Sequence, residues 1–151
     1  MASMSSLYRV QNPKNNQIEE SFDFITDEDL ERAIATADEA FHSWRELSYA
    51  ERAERLHAAA KLFDARRDEL SKIIAVEMGK PITEGDGEIN DVVEIFNYYA
   101  DHGEEFGADE EIPTNQGGTA IMRKQPLGVI AGIMPWNFPY YQVARFAAPA
   151  L

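Results

Sequence analysis

The sequence predicts an α/β protein: a set of amphipathic helices followed by the first strand of a sheet whose other strands are missing. Two observations lead there. Residues 26–107 carry apolar side chains at helical spacing, and residues 129–134 form a short, unbroken apolar run of the kind found in central parallel strands covered on both faces. A third observation limits the expectation. A parallel strand needs neighbours supplied by crossovers, and only one further apolar stretch, residues 146–151, follows. The 151 residues therefore read as an incomplete unit.

Residues 7–25 come first. They alternate loosely around Tyr8, Val10, Ile18, Phe22 and Phe24, with turn signals at Asn12-Pro13 and Asn15-Asn16. Short extended segments or an edge hairpin are expected. The period then becomes helical. Thr26 or Asp27 caps a helix that should bury one face through Leu30, Ala33, Ile34, Ala37, Phe41 and Trp44. Ser48 with Glu51 three residues on is a capping-box pattern opening a second helix through Leu56, Ala59, Ala60 and Phe63. Beyond Arg66-Arg67, which suits a helix end, Leu70, Ile73, Ile74 and Met78 continue the period until Gly79 and Pro81 stop it. Ile89, Val92, Val93, Phe96, Tyr99 and Ala100 mark a fourth helix ending near Gly103 or Gly107. Residues 108–118 read as a loop, residues 119–125 as an exposed strand carrying Arg123 and Lys124, and Pro126 as its break.

Composition excludes several function classes. No cysteine is present, so the chain supplies no disulfide, thiolate metal site or cysteine nucleophile. Three histidines, His42, His57 and His102, make a zinc cluster an unattractive reading, and no metal site is expected. A formal charge of −13 opposes nucleic acid and anionic membrane surfaces, which would be repelled. No apolar run approaches the roughly 20 residues of a membrane span. Residues 1–7 lack the basic start and apolar core of a secretory signal. A cytoplasmic protein is expected.

The informative stretch is residues 126–139. A buried strand ends at Pro135, a polar Asn137 follows between Trp136 and Phe138, and Pro139 suits the first turn of a new helix. The carboxyl end of such a strand is where α/β proteins place ligands. Read from the residues alone, Asn137 is either a helix N-cap or a catalytic group, and Trp136 and Phe138 are core aromatics in the first case. If the helix begins at Asn137, then Asn137, Tyr141 and Arg145 fall on one stripe at i, i+4 and i+8. Arg145 then either binds a substrate carboxylate or makes a structural salt bridge.

The Pro-Trp-Asn-Phe-Pro run at 135–139 resembles the corresponding element of the aldehyde dehydrogenase superfamily. The resemblance extends outward. Glu77-Met78-Gly79-Lys80-Pro81 is similar to the family's Glu-x-Gly-Lys-Pro element, and the helix carrying Trp44 is similar to its early helical region. Residues 123–151 resemble its passage from an oligomerisation strand into the first strand of the cofactor domain. The final run resembles most the members that oxidise succinate semialdehyde. The resemblance implies an N-terminal portion of that fold over residues 1–151: helices at about 26–107, an oligomerisation strand at about 119–125, and the start of a variant Rossmann sheet at about 126–151.

It further implies NAD- or NADP-dependent oxidation of an aldehyde to the acid. A cysteine thiolate adds to the carbonyl, hydride passes to nicotinamide, and a glutamate-activated water hydrolyses the thioester. Asn137 matches the catalytic asparagine that donates to the developing oxyanion. Ile133, Met134, Pro135 and Trp136, with Asn137, match the cofactor's nicotinamide and ribose side. Phe138, Tyr141 and Arg145 are the candidate substrate-binding residues. No Gly-x-Gly-x-x-Gly follows the strand, which agrees with the family's variant cofactor domain. The nucleophilic cysteine and glutamate base have no counterparts here. The chain alone is expected to be inactive, with a small aldehyde as substrate and a homo-oligomer as the state of the complete enzyme. The alternative is a non-catalytic interaction module or a truncated remnant.

Overall fold

The computed structural model describes residues 8–115 and 117–151; the signal-free reading of residues 1–7 lies outside them. The chain opens with an antiparallel hairpin, β1 (Tyr8–Gln11) and β2 (Ile18–Phe22), as the alternation predicts. Tyr8 pairs with Phe22 and Val10 with Glu20, and a bulge follows Val10. Asn16 takes φ 62° in the connecting turn, a left-handed conformation that asparagine tolerates.

Four helices follow: α1 (Asp27–Trp44), α2 (Tyr49–Ala65), α3 (Arg67–Met78) and α4 (Ile82–Gly107). The starts of α1 and α2 follow the sequence signals, whereas α4 begins at Ile82, ahead of the apolar positions that marked it. The Thr26 hydroxyl accepts from the Asp29 N–H at 3.1 Å. Ser48 and Glu51 complete the capping box: Ser48 Oγ accepts from the Glu51 N–H at 3.3 Å, and Glu51 Oε2 accepts from the Ser48 N–H at 2.8 Å. Arg66 ends α2 and precedes α3. Gly79 closes α3 with φ 81°, and a Cβ there would lie 2.8 Å from Pro13 Cγ. Backbone conformation and space thus both call for glycine.

Helix α4 is the axis of the molecule, flanked by α2, α3 and a fifth helix, α5 (Pro139–Ala150). The core joins Leu56 and Ala60 of α2, Val92, Phe96 and Ala100 of α4, and Ala144 and Ala148 of α5. Small residues at both i and i+4 on α5 let its backbone approach α4 closely. Phe63 stacks on Phe96 with ring centres 5.9 Å apart.

Three expectations are corrected. The apolar face of α1 is not buried: no α1 residue is buried, and Leu30 and Ile34 are exposed. Helices α2, α3 and α5 pack on α4 instead, and only Ala37, Phe41 and Trp44 of the α1 face are half-buried. Residues 108–118 are not simply a loop, because β3 (Glu110–Ile112) pairs antiparallel with β4 (Ala120–Met122), in the first half of the expected 119–125 strand. Three residues starting Glu-Glu have no periodicity to detect; their partner supplies the strand. Arg123 forks onto Asp109 (2.9 and 2.5 Å), and Lys124 Nζ donates to the last turn of α4 at Phe106 O, 2.7 Å. Finally, residues 129–134 are not in a strand here, because no neighbouring strand among the described residues offers them a ladder. They run irregularly across α5, and Gly132 passes so close that a Cβ would sit 2.7 Å from the Phe146 ring.

The capping box gives the first prediction. Hydrogen bonds from the Ser48 hydroxyl and then the Ser48 N–H hold the Glu51 carboxyl below the ordinary glutamate range. The contribution is present above the ordinary glutamate range and lost as pH falls through the depressed folded-state value, because the folded-state group binds its proton at lower pH than the unfolded one. Ser48→Ala should lower unfolding free energy by about 1 kcal/mol at pH 7 and flatten the acid limb. Denaturant titrations at pH 7 and pH 3.5 check both.

Candidate functional site

Helix α5 begins without a cap of its own. Its N-cap residue is Phe138, which has no side-chain oxygen, and Pro139 at the first position has no N–H to offer. The next N–H groups, of Tyr140 and Tyr141, still need acceptors. Both find one oxygen: Glu88 Oε1, from the adjacent turn of α4, at 2.8 and 3.1 Å. The other oxygen, Oε2, accepts from Lys80 Nζ at 2.5 Å. Glu88 is 1% exposed and Lys80 6%, so this is a buried ion pair. Lys80 Nζ also stands 3.5 Å from the centre of the Phe138 ring.

This arrangement explains the Glu-x-Gly-Lys-Pro element. Gly79 reverses the chain after α3, Pro81 precedes the first turn of α4, and the residue held between them, Lys80, is turned inward. Glu88 lies on the buried stripe of α4 that also contains Gly85, Ile89, Val92 and Phe96. Sequence reasoning missed this pair. The signal was a carboxylate on the apolar stripe of α4, eight residues after a lysine in a two-helix link.

Asn137 sits in the turn formed with Trp136, just ahead of α5, and is exposed. It is not the helix N-cap, which is Phe138, so the capping reading of Asn137 fails. It is also not on the α5 stripe, because the helix starts at Pro139. Only Tyr141 and Arg145 share that stripe, at i and i+4. Arg145 is exposed, and the structure gives it no ion pair among the described residues. Tyr141 is half-buried beside Phe138, ring centres 6.0 Å apart. Burial, then Glu77 and Glu88, hold the neighbouring Tyr140 phenol above its usual range, so it stays neutral near pH 7.

The expected cofactor residues form a ledge leading to this turn. Ile133 is 98% exposed and Trp136 77%, Pro135 is exposed, and Met134 is half-buried. From Gln125 to Ala144 the sequence holds no Asp, Glu, Lys or Arg. The ledge is therefore apolar and uncharged. A flat apolar ring fits such a surface; a phosphate does not. Two open grooves lie elsewhere, one between α3 and α4 beside Ser71 and Thr83, the other between the first hairpin and α3. Among the described residues no group of three His, Asp or Glu is placed to hold a metal ion, and no helix is long and apolar enough to cross a membrane.

The aldehyde dehydrogenase family profile matches residues 1–151. The chain belongs to the aldehyde dehydrogenase family. A curated relative, the NADP(+) succinate-semialdehyde dehydrogenase of Deinococcus radiodurans, is 41% identical over 140 residues, covering 93% of this chain and 29% of the relative. A probable succinate-semialdehyde dehydrogenase (NADP(+)) of Synechocystis is 40% identical, covering 93% and 31%. Among solved structures, the succinic semialdehyde dehydrogenase of Streptococcus pyogenes in complex with NADP+ superposes with a TM-score of 0.90 at 36% identity, over 95% of this chain and 31% of that one. The chain thus spans about three-tenths of the length of these aldehyde dehydrogenases, and its fold is that of part of their structure.

The buried pair yields a stability prediction. Glu88→Ala strands a buried ammonium and leaves two helix N–H groups without an acceptor. Unfolding free energy should fall by roughly 3–5 kcal/mol, measured by denaturant titration. A loss below about 1 kcal/mol would mean that water solvates the pair.

Proposed function

We propose that the chain is the part of an NADP- or NAD-dependent aldehyde dehydrogenase that holds the oxyanion donor and one wall of the substrate tunnel, and that the complete enzyme oxidises succinate semialdehyde. The observation that carries this reading is the turn at Trp136-Asn137. It presents an exposed, uncharged amide between an apolar ledge and an unpaired arginine, in a chain 41% identical to a succinate-semialdehyde dehydrogenase.

In this reading Asn137 donates a side-chain N–H to the aldehyde oxygen as attack by a thiolate drives negative charge onto it. An amide suits the task because it donates without a charge of its own to desolvate. Residues 133–136 seat the nicotinamide and ribose, where the cofactor supplies a hydride acceptor. Their lack of charge keeps the ledge from competing with the oxyanion for Asn137. Phe138 and Tyr141 flank the aldehyde chain, and Arg145, one turn further on, takes the distal carboxylate through its planar fork. Helical side chains lean toward the N-terminus, which aims Arg145 back toward Asn137. Residues 129–134 complete a cofactor-domain sheet when the other strands are present.

The β3–β4 ribbon supports assembly into a homo-oligomer. Two strands alone are marginal in water, and Ile112, Ile121 and Met122 face outward. The reading includes a cytoplasmic setting; among the described residues no helix is long and apolar enough to cross a membrane.

Three measurements test this reading. The 151-residue chain, which has no cysteine, should reduce neither NAD nor NADP with succinate semialdehyde; turnover above an enzyme-free control would refute it. In the full-length enzyme, Asn137→Ala should lower kcat by about 10²–10³ with little change in KM, since the donor acts on charge that develops in the transition state. A change confined to KM would assign Asn137 to packing. Arg145→Ala should cost about ten- to hundredfold in kcat/KM for succinate semialdehyde while butanal is unaffected or improved, and Arg145→Lys should rescue only partly. Equal losses for both aldehydes would remove the carboxylate role.

A further inference from the structure

Lys80 and Glu88 converge on Phe138, Tyr140 and Tyr141, the first, third and fourth residues after Asn137. Glu88 Oε1 takes the Tyr140 and Tyr141 N–H groups, Glu88 Oε2 takes Lys80, and Lys80 presses on the Phe138 ring. No side-chain hydrogen bond from Asn137 itself is recorded among the described residues, so its place is set by what holds the backbone on either side. On the upstream side the chain is irregular and runs over α5. On the downstream side it is bolted to α4 through a carboxylate almost wholly out of water. A buried ion pair is seldom the most stabilising choice for such a position, because desolvation offsets the attraction. What it supplies here is a fixed point with direction: two helix N–H groups, an ammonium and an aromatic face meeting at one carboxylate.

We propose that Lys80 and Glu88 are positioning residues for catalysis, fixing the start of α5 and through it the aim of the Asn137 amide. The proposal rests on the reading of Asn137 as the oxyanion donor. Neither residue touches the aldehyde or the cofactor; both act through Phe138, Tyr140 and Tyr141. The Phe138 ring adds a cation–π contact to the lysine, so the side chain beside the donor is fixed as well as the backbone.

The test uses the full-length enzyme containing this segment. Lys80→Met with Glu88→Gln removes both charges at nearly constant shape, and the Gln carbonyl still accepts a hydrogen bond. This pair variant should lose about ten- to hundredfold in kcat, the scale of a 1 Å misplacement, with KM for aldehyde and for NADP close to the parent value. In an Asn137→Ala background the same substitutions should cost less than about twofold further, because groups that act through one another are not additive. Equal factors in both backgrounds would show a merely structural pair and overturn the proposal. Lys80→Arg, which moves the cation relative to the Phe138 ring, serves where the pair variant does not fold. It keeps the buried ions and should show a smaller kcat loss that again vanishes with Asn137→Ala; a loss that persists there overturns the proposal. Hydrogen exchange gives a readout independent of turnover. Peptides covering residues 137–142 should exchange at least about tenfold faster in the variants while α2 is unchanged, and unchanged exchange overturns the positioning role. If the parent enzyme oxidises no aldehyde, the functional reading fails by itself, and the exchange result still decides whether the pair holds the start of α5.

Discussion

A single carboxylate, that of Glu88, satisfies three donors that nothing else in this part of the molecule satisfies. Helix α5 starts with Phe-Pro and so brings no cap, and Lys80 is turned inward by the tight link between α3 and α4. Either feature alone would bury an unpaired polar group, at a cost comparable to a lost hydrogen bond or worse. Together they cancel through Glu88. The elements on both sides depend on this: α3 and α4 are joined at Lys80, α4 and α5 at Glu88, and the turn carrying Asn137 hangs from the result.

The far end of α5 is held as well. The Trp44 indole N–H donates to the main-chain oxygen of Leu151 at 2.9 Å, and Arg52 reaches the same oxygen at 3.3 Å. Between the two ends, Ala144 and Ala148 lie flat on α4. Helix α5 is therefore clamped along its length, while the ledge at residues 129–136 is open on its outer side. In the proposed reading, that division suits a site in which groups that must be aimed stand on a packed bundle and the surface assigned to the cofactor is left open. It also accounts for the exposure of Ile133 and Trp136, large apolar residues that a self-contained domain would cover.

Much of this fold was legible from residues 8–107, for local reasons. Capping residues and helical spacing act within one turn, so Thr26, Ser48-Glu51 and Gly79 each mark a boundary where the structure has one. The family was legible from residues 135–139 and 77–81, where the residue pattern is unusual enough to carry a resemblance. The burial of α1 was misread because an amphipathic face says only that a partner is wanted, not where that partner lies. Residues 129–134 are unpaired for a related reason: an apolar run asks for a ladder, and only hydrogen bonds to neighbouring strands make one.

By itself, then, the sequence determined the helices of the bundle, the hairpin and the position of the turn that displays Asn137, because capping, spacing and proline placement are short-range effects. Only the tertiary structure decided how that turn is held. Lys80, Glu88 and Phe138 are 8 and 50 residues apart along the chain, and no local rule links them. Their meeting depends on α3, α4 and α5 packing around one core, which brings a buried charge, its counterion and an uncapped helix end within hydrogen-bonding distance.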